Sequence, residues 1–513
     1  MAARRKYFLN KSCVLIIVVA SVERFAYKGV ASNLVTYLTD VVHQSNGEAA
    51  KNVSTWAGLT SMLPLLGAFL TDSYFNRYST IILSSFFYLS GLVALASLAR
   101  FPHGKAISSA PIFGSLYLIS FGLGGYNPSL QAFGADQLDE EEDGYASSKS
   151  LFFKWSYFGI CSGSLLGVSI LPYIQDTLGW ELGFALPAIA MGVCVVCFIC
   201  GTPLYRHKQC EDGGRTFGSL ISALRSVTRK FIGGRTNVAS GNARAIELEL
   251  PERPIESDIG FVTTPDKKMD IATIAWEVFR LLPIWATFLM FAVILQQPST
   301  FFTKQGSTMK RNIGEKFQIP PAALQSTINL CIIMLMPIYD SILIPILKII
   351  TQDDKGIDTL QRIGIGMFFS ITSMIIAALT ESKRLHSVHP INICWLLPQY
   401  VLLGVSDVFM VVGIQEFFYS QVSGGMKTMG IALYLSVFGV GGYLSAILIS
   451  LVEMLTTMNG ASSSWFSDNL SKARLDCYYG LLAVLSIMSM ILFVNIAGHY
   501  KDDKIDSPNT TMK

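Results

Sequence analysis

The run Glu23-Arg24-Phe25-Ala26-Tyr27-Lys28-Gly29 puts one acid and two bases in the middle of an apolar stretch. An ionised side chain at the centre of a membrane helix costs about 2.5–3.5 kcal/mol on insertion scales. Three of them cannot face lipid together. On a helix, Glu23 and Tyr27 share one face, and Arg24 and Lys28 share another. The two cations repel each other, so they require anions opposite, from the protein or from a bound solute. A water-filled cavity satisfies this most simply; the plainer alternative is a buried ion pair that only ties helices together. The chemistry expected is reversible binding of an anion and a proton.

A second acid, Asp407, lies in Gly404-Val-Ser-Asp407-Val-Phe, again within an apolar stretch. Desolvation and a cation across a cavity pull its protonation in opposite directions. That suits either substrate or proton binding; a structural hydrogen-bond partner is the competing reading. Gln296 and Gln297 are uncharged hydrogen-bonding groups, fit for a polar substrate or for helix contacts. A further set lies near span ends: Asp72 with Arg77, Asp340 with Arg362, and the acids Asp136 and Glu416. These fit latches between helices that hold one conformation and release in another. The acidic run Asp139 to Asp143 reads as a solvated face.

The elements that carry these residues follow from composition. Of 513 residues, 51% are hydrophobic and only 15% charged, against about 25% charged in a typical soluble chain. The apolar residues lie in blocks of roughly 20, the length of a bilayer-crossing helix. Twelve spans are expected, at about 12–38, 53–71, 80–98, 111–130, 152–172, 182–203, 281–301, 321–346, 360–380, 391–413, 428–453 and 477–498. Open strands are excluded because unpaired backbone groups in hydrocarbon cost several kcal/mol each, roughly. The fold class is therefore an all-α membrane protein. A soluble enzyme, a disordered tail and a nucleic-acid-binding domain are excluded, and a net charge of +3 implies no polyanionic partner.

Lys and Arg placement orients the chain. Arg4, Arg5, Lys6 and Lys11 precede span 1, and the stretch from Arg206 to Arg280 holds twelve basic residues. Both termini are then cytosolic. Basic residues before the run Cys13 to Ala20 resemble a signal peptide, but Glu23 and Arg24 follow with no small-residue cleavage site, so the span is expected to stay uncleaved. The domains expected are a six-helix bundle over 1–205, a cytosolic linker over 206–272, a second six-helix bundle over 273–499, and a cytosolic tail over 500–513. Within the linker, Phe217 to Ile232 carries apolar residues at helical spacing with Arg225, Arg229 and Lys230 opposite, as in a helix lying on the inner membrane face. Residues 237–268 read as flexible linker.

Cys13, Cys161, Cys194, Cys197, Cys200, Cys331 and Cys394 fall inside spans, so disulfides are not expected. Cys194, Cys197 and Cys200 share a three-residue spacing, yet small packing residues explain them better than a metal stripe. The six His residues fall in loops or at ends, so none sits at the midplane. No P-loop is present, so ATP on this chain drives nothing. No cofactor or metal is expected. Asn52 and Asn469 head Asn-x-Ser sequons on the far side.

The halves echo one another weakly. Ser156-Tyr-Phe-Gly159 in span 5 matches Ser436-Val-Phe-Gly439 in span 11, and Asp72 with Arg77 has its counterpart in Asp340 with Arg362. Repeats of this kind build two rocking halves around a central site in many carriers.

Several motifs in order make the pattern specific: GGYNPSLQAFGADQ (124–137), FFKWSYFGICSGS (152–164), RLLPIW (280–285), IPPAAL (319–324), PIYDSILIP (337–345), LQRIGIG (360–366), PQY (398–400), EFFY (416–419) and LDCYYGLLA (475–483). Over nearly its whole length the chain resembles the plant nitrate transporter 1/peptide transporter family, a branch of the proton-coupled oligopeptide transporters within the major facilitator superfamily. The resemblance implies the major facilitator fold, with two pseudo-symmetric six-helix bundles, alternating access and symport driven by protons. In that family span 1 carries E-x-x-E-[R/K]; here Ala20 stands at the first acid, while Glu23 and Arg24 match the rest. Lys28 replaces a usual Tyr, Asn127 a Lys found in peptide carriers, Leu295 a His found in some nitrate carriers, and Asp407 a usual Glu; Asn76 replaces a Gly before Arg77.

The expectation is a secondary transporter, not an enzyme, with a cavity lined by Glu23, Arg24, Tyr27, Lys28, Gln296, Gln297 and Asp407. Its cargo is a small anion such as nitrate, or another small polar solute, carried with a proton. Uncoupled transport or export, a peptide carrier, and a membrane sensor with little net flux are the alternatives. The plasma membrane and the vacuolar membrane both fit.

Overall fold

The computed structural model describes residues 10–73, 76–100, 109–138, 145–206, 271–314, 317–338, 358–421, 427–458 and 464–505. Helices dominate. The first half comprises α1 (Lys11–Ala31), α2 (Leu34–Asp40), α3 (Asn46–Ser73), α4 (Arg77–Arg100), α5 (Ala110–Ala135), α6 (Tyr145–Thr177) and α7 (Trp180–Cys200). The second comprises α8 (Ile271–Thr287), α9 (Leu289–Ile294), α10 (Phe301–Ser307), α11 (Ser326–Ile338), α12 (Thr359–His386), α13 (Leu397–Gln421), α14 (Lys427–Met458) and α15 (Leu475–Ile505). A two-stranded antiparallel hairpin, β1 (Asn312–Ile313) with β2 (Phe317–Gln318), follows α10. The linker segment Phe217 to Ile232 lies outside the described residues.

Among the described residues, seven helices are long and apolar enough to cross a membrane, α4, α7 and α12 among them. Helix α1 falls short of that measure because Glu23, Arg24 and Lys28 lie within it. Large apolar side chains such as Phe86, Ile189, Phe368 and Ile491 stand exposed on outward faces, as a lipid-solvated surface requires. The fold is the major facilitator architecture of two six-helix bundles.

Two of the expected spans are not single helices. Span 1 breaks after Ala31, and α2 resumes at Leu34. At the break, Asn33 Nδ2 donates to Gln175 Oε1 (3.1 Å) and to Asp176 Oδ1 (3.4 Å). Gln175 Nε2 in turn donates to the freed Gly29 carbonyl at 3.2 Å. Side-chain amides of this kind satisfy backbone groups that an interrupted helix leaves open. Span 7 breaks more extensively, into α8, α9 and α10. The turn before α10 contains Pro298, which has no N–H to give; its carbonyl accepts from Thr303 Oγ1 at 2.7 Å.

Close backbone approach sets the helix pairs that matter. Gly163 and Gly167 of α6 abut the carbonyls of Ser21 and Phe25 in α1, where any Cβ would overlap. Across the halves, Gly58 of α3 packs on α14, and a Cβ there would sit 2.8 Å from the Gly439 carbonyl. Small residues permit such contacts where apolar burial gives no drive between helices. A small apolar cluster of Cys161, Ile332 and Val408 joins α6, α11 and α13 at mid-depth.

We call the end where α1 begins the near end and the end where it finishes the far end. Among the described residues, polar contacts between the halves gather toward the far end. Lys304 Nζ reaches Asp40 Oδ1 at 3.0 Å, Lys51 Nζ reaches Glu453 Oε2 at 2.8 Å, and Arg311 reaches Asp176 at 3.4 Å. The Asn46 amide donates to Asp468 at 2.9 Å, and Gln325 Nε2 donates to the Ser32 carbonyl at 2.8 Å.

Candidate functional site

Helix α1 carries the charges because its other faces are well supported: Ile16, Val19, Ala26 and Val30 are buried in the first half's core. Glu23 turns into that half. It is 1% exposed, and Tyr88 of α4, Tyr126 of α5 and Cys194 of α7 surround its charge. Its Oε2 lies 3.6 Å from Arg24 Nε, and its Oε1 has no hydrogen-bond partner. The acid is thus buried inside the first half.

The cations face the other way. The Arg24 guanidinium carbon lies 5.7 Å from the centre of the Tyr27 ring, within cation–π range. Its side chain keeps 22% of its surface open. Tyr27 packs on Trp56 with ring centres 5.7 Å apart, and its hydroxyl lies beside Thr60. Lys28 is half-buried, with Arg24, Cys161 of α6 and Asp407 of α13 as its electrostatic neighbours.

Asp407 is also half-buried, and Lys28, Tyr157, Cys161 and Tyr434 surround it. Among the described residues neither Lys28 nor Asp407 forms an ion pair by direct contact, and each feels the other's charge at a distance. One stands on the first half and one on the second. Their neighbours Cys161 and Val408 belong to the cluster that joins the halves. Two acids and two bases leave the set with no net charge when all four are ionised.

The two glutamines stand on the second half. Gln297 is fully buried; its Nε2 donates to the Val293 carbonyl at 3.1 Å, and Tyr478 lies beside it. Gln296 is half-buried, and its carbonyl accepts from Ser299 at 3.1 Å and Thr300 at 2.8 Å. Both sit in the interruption of span 7. The residues that sequence reasoning missed are Tyr157, Cys161 and Tyr434. Tyr157 and Cys161 are four apart on α6, so a helical-face reading of FFKWSYFGICSGS around its glycines could have found them.

At the near end Arg77 pairs with Asp136, and Arg362 Nη1 reaches Glu416 Oε2 at 2.8 Å. Each joins the start of a half's third span to the end of its fourth. The side chain of Asp72, and all of Asp340, lie outside the described residues. Cys194 is buried with its Sγ 3.6 Å from the Val19 carbonyl, whereas Cys197 and Cys200 are exposed. The eight described cysteines are free thiols.

The profile of the PTR2 family, described as the POT family, matches residues 78–466. Protein NRT1/PTR FAMILY 5.9 of Arabidopsis thaliana is 48% identical, with 98% of this chain and 98% of that protein covered. Protein NRT1/PTR FAMILY 5.10 of the same plant is 41% identical, over 97% and 94%. Among solved structures, the POT family transporter PepTSo shares the fold with a TM-score of 0.75 at 20% identity, covering 96% of this chain and 99% of that one. An autoinhibited POT family peptide transporter gives 0.73 at 21%, over 95% and 97%. The chain belongs to the POT family, among its NRT1/PTR proteins, and is a multi-pass membrane transporter rather than an enzyme.

Proposed function

We propose that the protein is a secondary transporter that carries a small solute bearing an anionic group together with a proton, by alternating access. The single observation that carries this reading is Lys28 on one half facing Asp407 on the other across an unfilled ion pair. With Asp407 ionised, the gap is balanced; with Asp407 protonated, Arg24 and Lys28 leave it cationic and attractive to an anion. Anion entry and proton uptake then favour one another, the reciprocity any coupling requires. Glu23 is the second proton site to weigh, because its unpartnered Oε1 is the place where a proton relieves a buried charge. Gln296 and Gln297 act as polar support for the bend in span 7.

In this reading residues 1–205 and 273–499 are the moving bodies, residues 206–272 link them, and both termini and the 500–513 tail are cytosolic. The far-end contacts close the outer or lumenal gate, and Arg77–Asp136 and Arg362–Glu416 hold each half together at the cytosolic end. Asp72 and Asp340 belong to the same latches. The membrane is the plasma membrane or the vacuolar membrane. Nitrate is the smallest anion that fits the family names. A second reading has one observation in its favour: a fixed acid opposite fixed bases also matches a zwitterion such as a short peptide, which needs no proton to enter.

Uptake in oocytes at acidic and neutral outside pH tests the reading. Uptake of the anionic cargo rises as pH falls; Arg24→Ala and Lys28→Gln lose most of it. In Asp407→Asn or in Glu23→Gln, whichever acid takes the proton, the pH dependence disappears. Wild-type uptake that ignores pH removes the proton, and unchanged uptake in both cation variants removes the anion.

A further inference from the structure

The second half contains a group of polar atoms that the transport cycle above does not use. Gln305 of α10, Gln399 and Tyr400 of α13, and Tyr479 of α15 are each 0% exposed. Gln399 Nε2 donates to Gln305 Oε1, but at 3.4 Å. That leaves Gln305 Nε2, Gln399 Oε1, Tyr400 OH and Tyr479 OH buried with no hydrogen-bond partner. They belong to one layer. Phe302 packs edge-on against both tyrosine rings, at 5.4 Å and 5.3 Å, and the two hydroxyls sense each other electrostatically.

Most neighbouring polar groups are already engaged, and Thr303 keeps one lone pair within reach of the Tyr400 hydroxyl. Thr303, beside Tyr400, donates to the Pro298 carbonyl at 2.7 Å and accepts from Gln325 at 3.3 Å. Ser373 Oγ donates to the Gln399 carbonyl at 2.8 Å. The Glu381 carboxylate is taken by Arg384, at 2.8 Å and 2.6 Å. A lone orphan group is a local defect, but four in one layer are a repeated cost that a protein interior does not sustain.

We infer that this layer is an internal hydration site: one or more water molecules bridge Gln305, Gln399, Tyr400 and Tyr479. The inventory fits water. Gln305 Nε2 only donates, Gln399 Oε1 only accepts, and each hydroxyl does both. Buried water takes two to four such partners. The site lies directly behind the interruption of span 7, and through Thr303 and Gln325 it connects to the Ser32 carbonyl at the far-end contact.

Hydroxyl-radical footprinting of the full-length protein in nanodiscs, with radicals generated from water by a brief X-ray pulse, tests this directly. Bound water oxidises neighbouring rings that bulk solvent cannot reach. Tyr400 and Tyr479 are expected to oxidise on the order of fivefold faster than Phe184, which is equally buried but in an apolar core. A Gln305→Leu/Gln399→Leu double variant, checked for intact folding by size exclusion, lowers that oxidation to the Phe184 level. Wild-type Tyr400 and Tyr479 as unreactive as Phe184 overturn the inference, whatever the double variant does. Unchanged oxidation in a folded double variant overturns the bridging role of the amides.

Discussion

Among the described residues, the ion pairs that cross between the halves lie at the far end, beside pairs such as Glu381–Arg384 that stay within one half. At the near end Arg77–Asp136 and Arg362–Glu416 each stay within one half and repeat by pseudo-symmetry. At the far end Lys304–Asp40, Lys51–Glu453 and Arg311–Asp176 all cross from one half to the other and do not repeat. Symmetric pairs within a half stiffen a rigid body. Asymmetric pairs between halves fix one arrangement of two bodies, and must break when that arrangement changes. The described structure is therefore a far-end-closed arrangement, with Lys28 and Asp407 below the closure.

The largest expected effect tests what holds the far end itself in shape. Glu381 and Arg384 form a buried pair, and Arg384 Nη2 also donates to the Leu470 carbonyl at 2.7 Å, in the loop that presents Asp468 to Asn46. Glu381→Ala leaves a buried guanidinium unpaired and is expected to cost about 3–5 kcal/mol, read as a lowered melting temperature in detergent. A melting temperature equal to wild type would show that the pair is replaceable. Next, Gly58→Val wedges α3 off α14. Overpacking costs about 1–3 kcal/mol, and the far end should open; cysteines at Ser54 and Ser445, whose hydroxyls are 3.3 Å apart, should then lose their ability to cross-link.

Smaller effects separate the ends more finely. Lys304→Met removes a buried ammonium whose partner Asp40 is 58% exposed, so solvent screening limits the loss to about 1 kcal/mol. That is still roughly a fivefold shift in the closed-to-open ratio, readable by cross-linking at the same cysteines. Lys51→Ala, with both partners about one-third open, should shift it by about twofold at most, and not at all in high salt. Arg362→Ala serves as the contrast: it should soften the second half and leave far-end cross-linking unchanged. If it opens the far end as strongly as Lys304→Met does, the distinction between the ends is wrong.

Much of the architecture was legible in the residues. Apolar blocks of bilayer length announced the spans, since hydrophobic length depends on neither partners nor packing. The break at Ser32-Asn33 was not, because it rests on an amide from a distant residue, Gln175; the turn before α10 closes locally, through Thr303 on the Pro298 carbonyl. Helical spacing grouped Arg24 with Lys28, since it fixes directions along one helix. It could not tell that Glu23 turns toward Tyr88 and Tyr126, nor that Tyr157, Cys161 and Tyr434 gather around Asp407, because facing across helices is decided by packing. For Gln297 the residue type left substrate and helix contact open, and packing puts Val293 and Tyr478 beside it. For the latches, Arg77 pairs with Asp136 from the end of α5, while the side chain of Asp72 lies outside the described residues.

The central claim is that Lys28 and Asp407 look into one aqueous space shared by the two halves. Thiol accessibility measures this most directly, using Lys28→Cys and Asp407→Cys in a background where Cys161 is replaced by Ala. The account predicts that a charged, membrane-impermeant thiol reagent labels both positions from the near side, and that cargo at saturating concentration slows both. Labelling of either position only by a lipid-soluble reagent, or protection of one without the other, would contradict it.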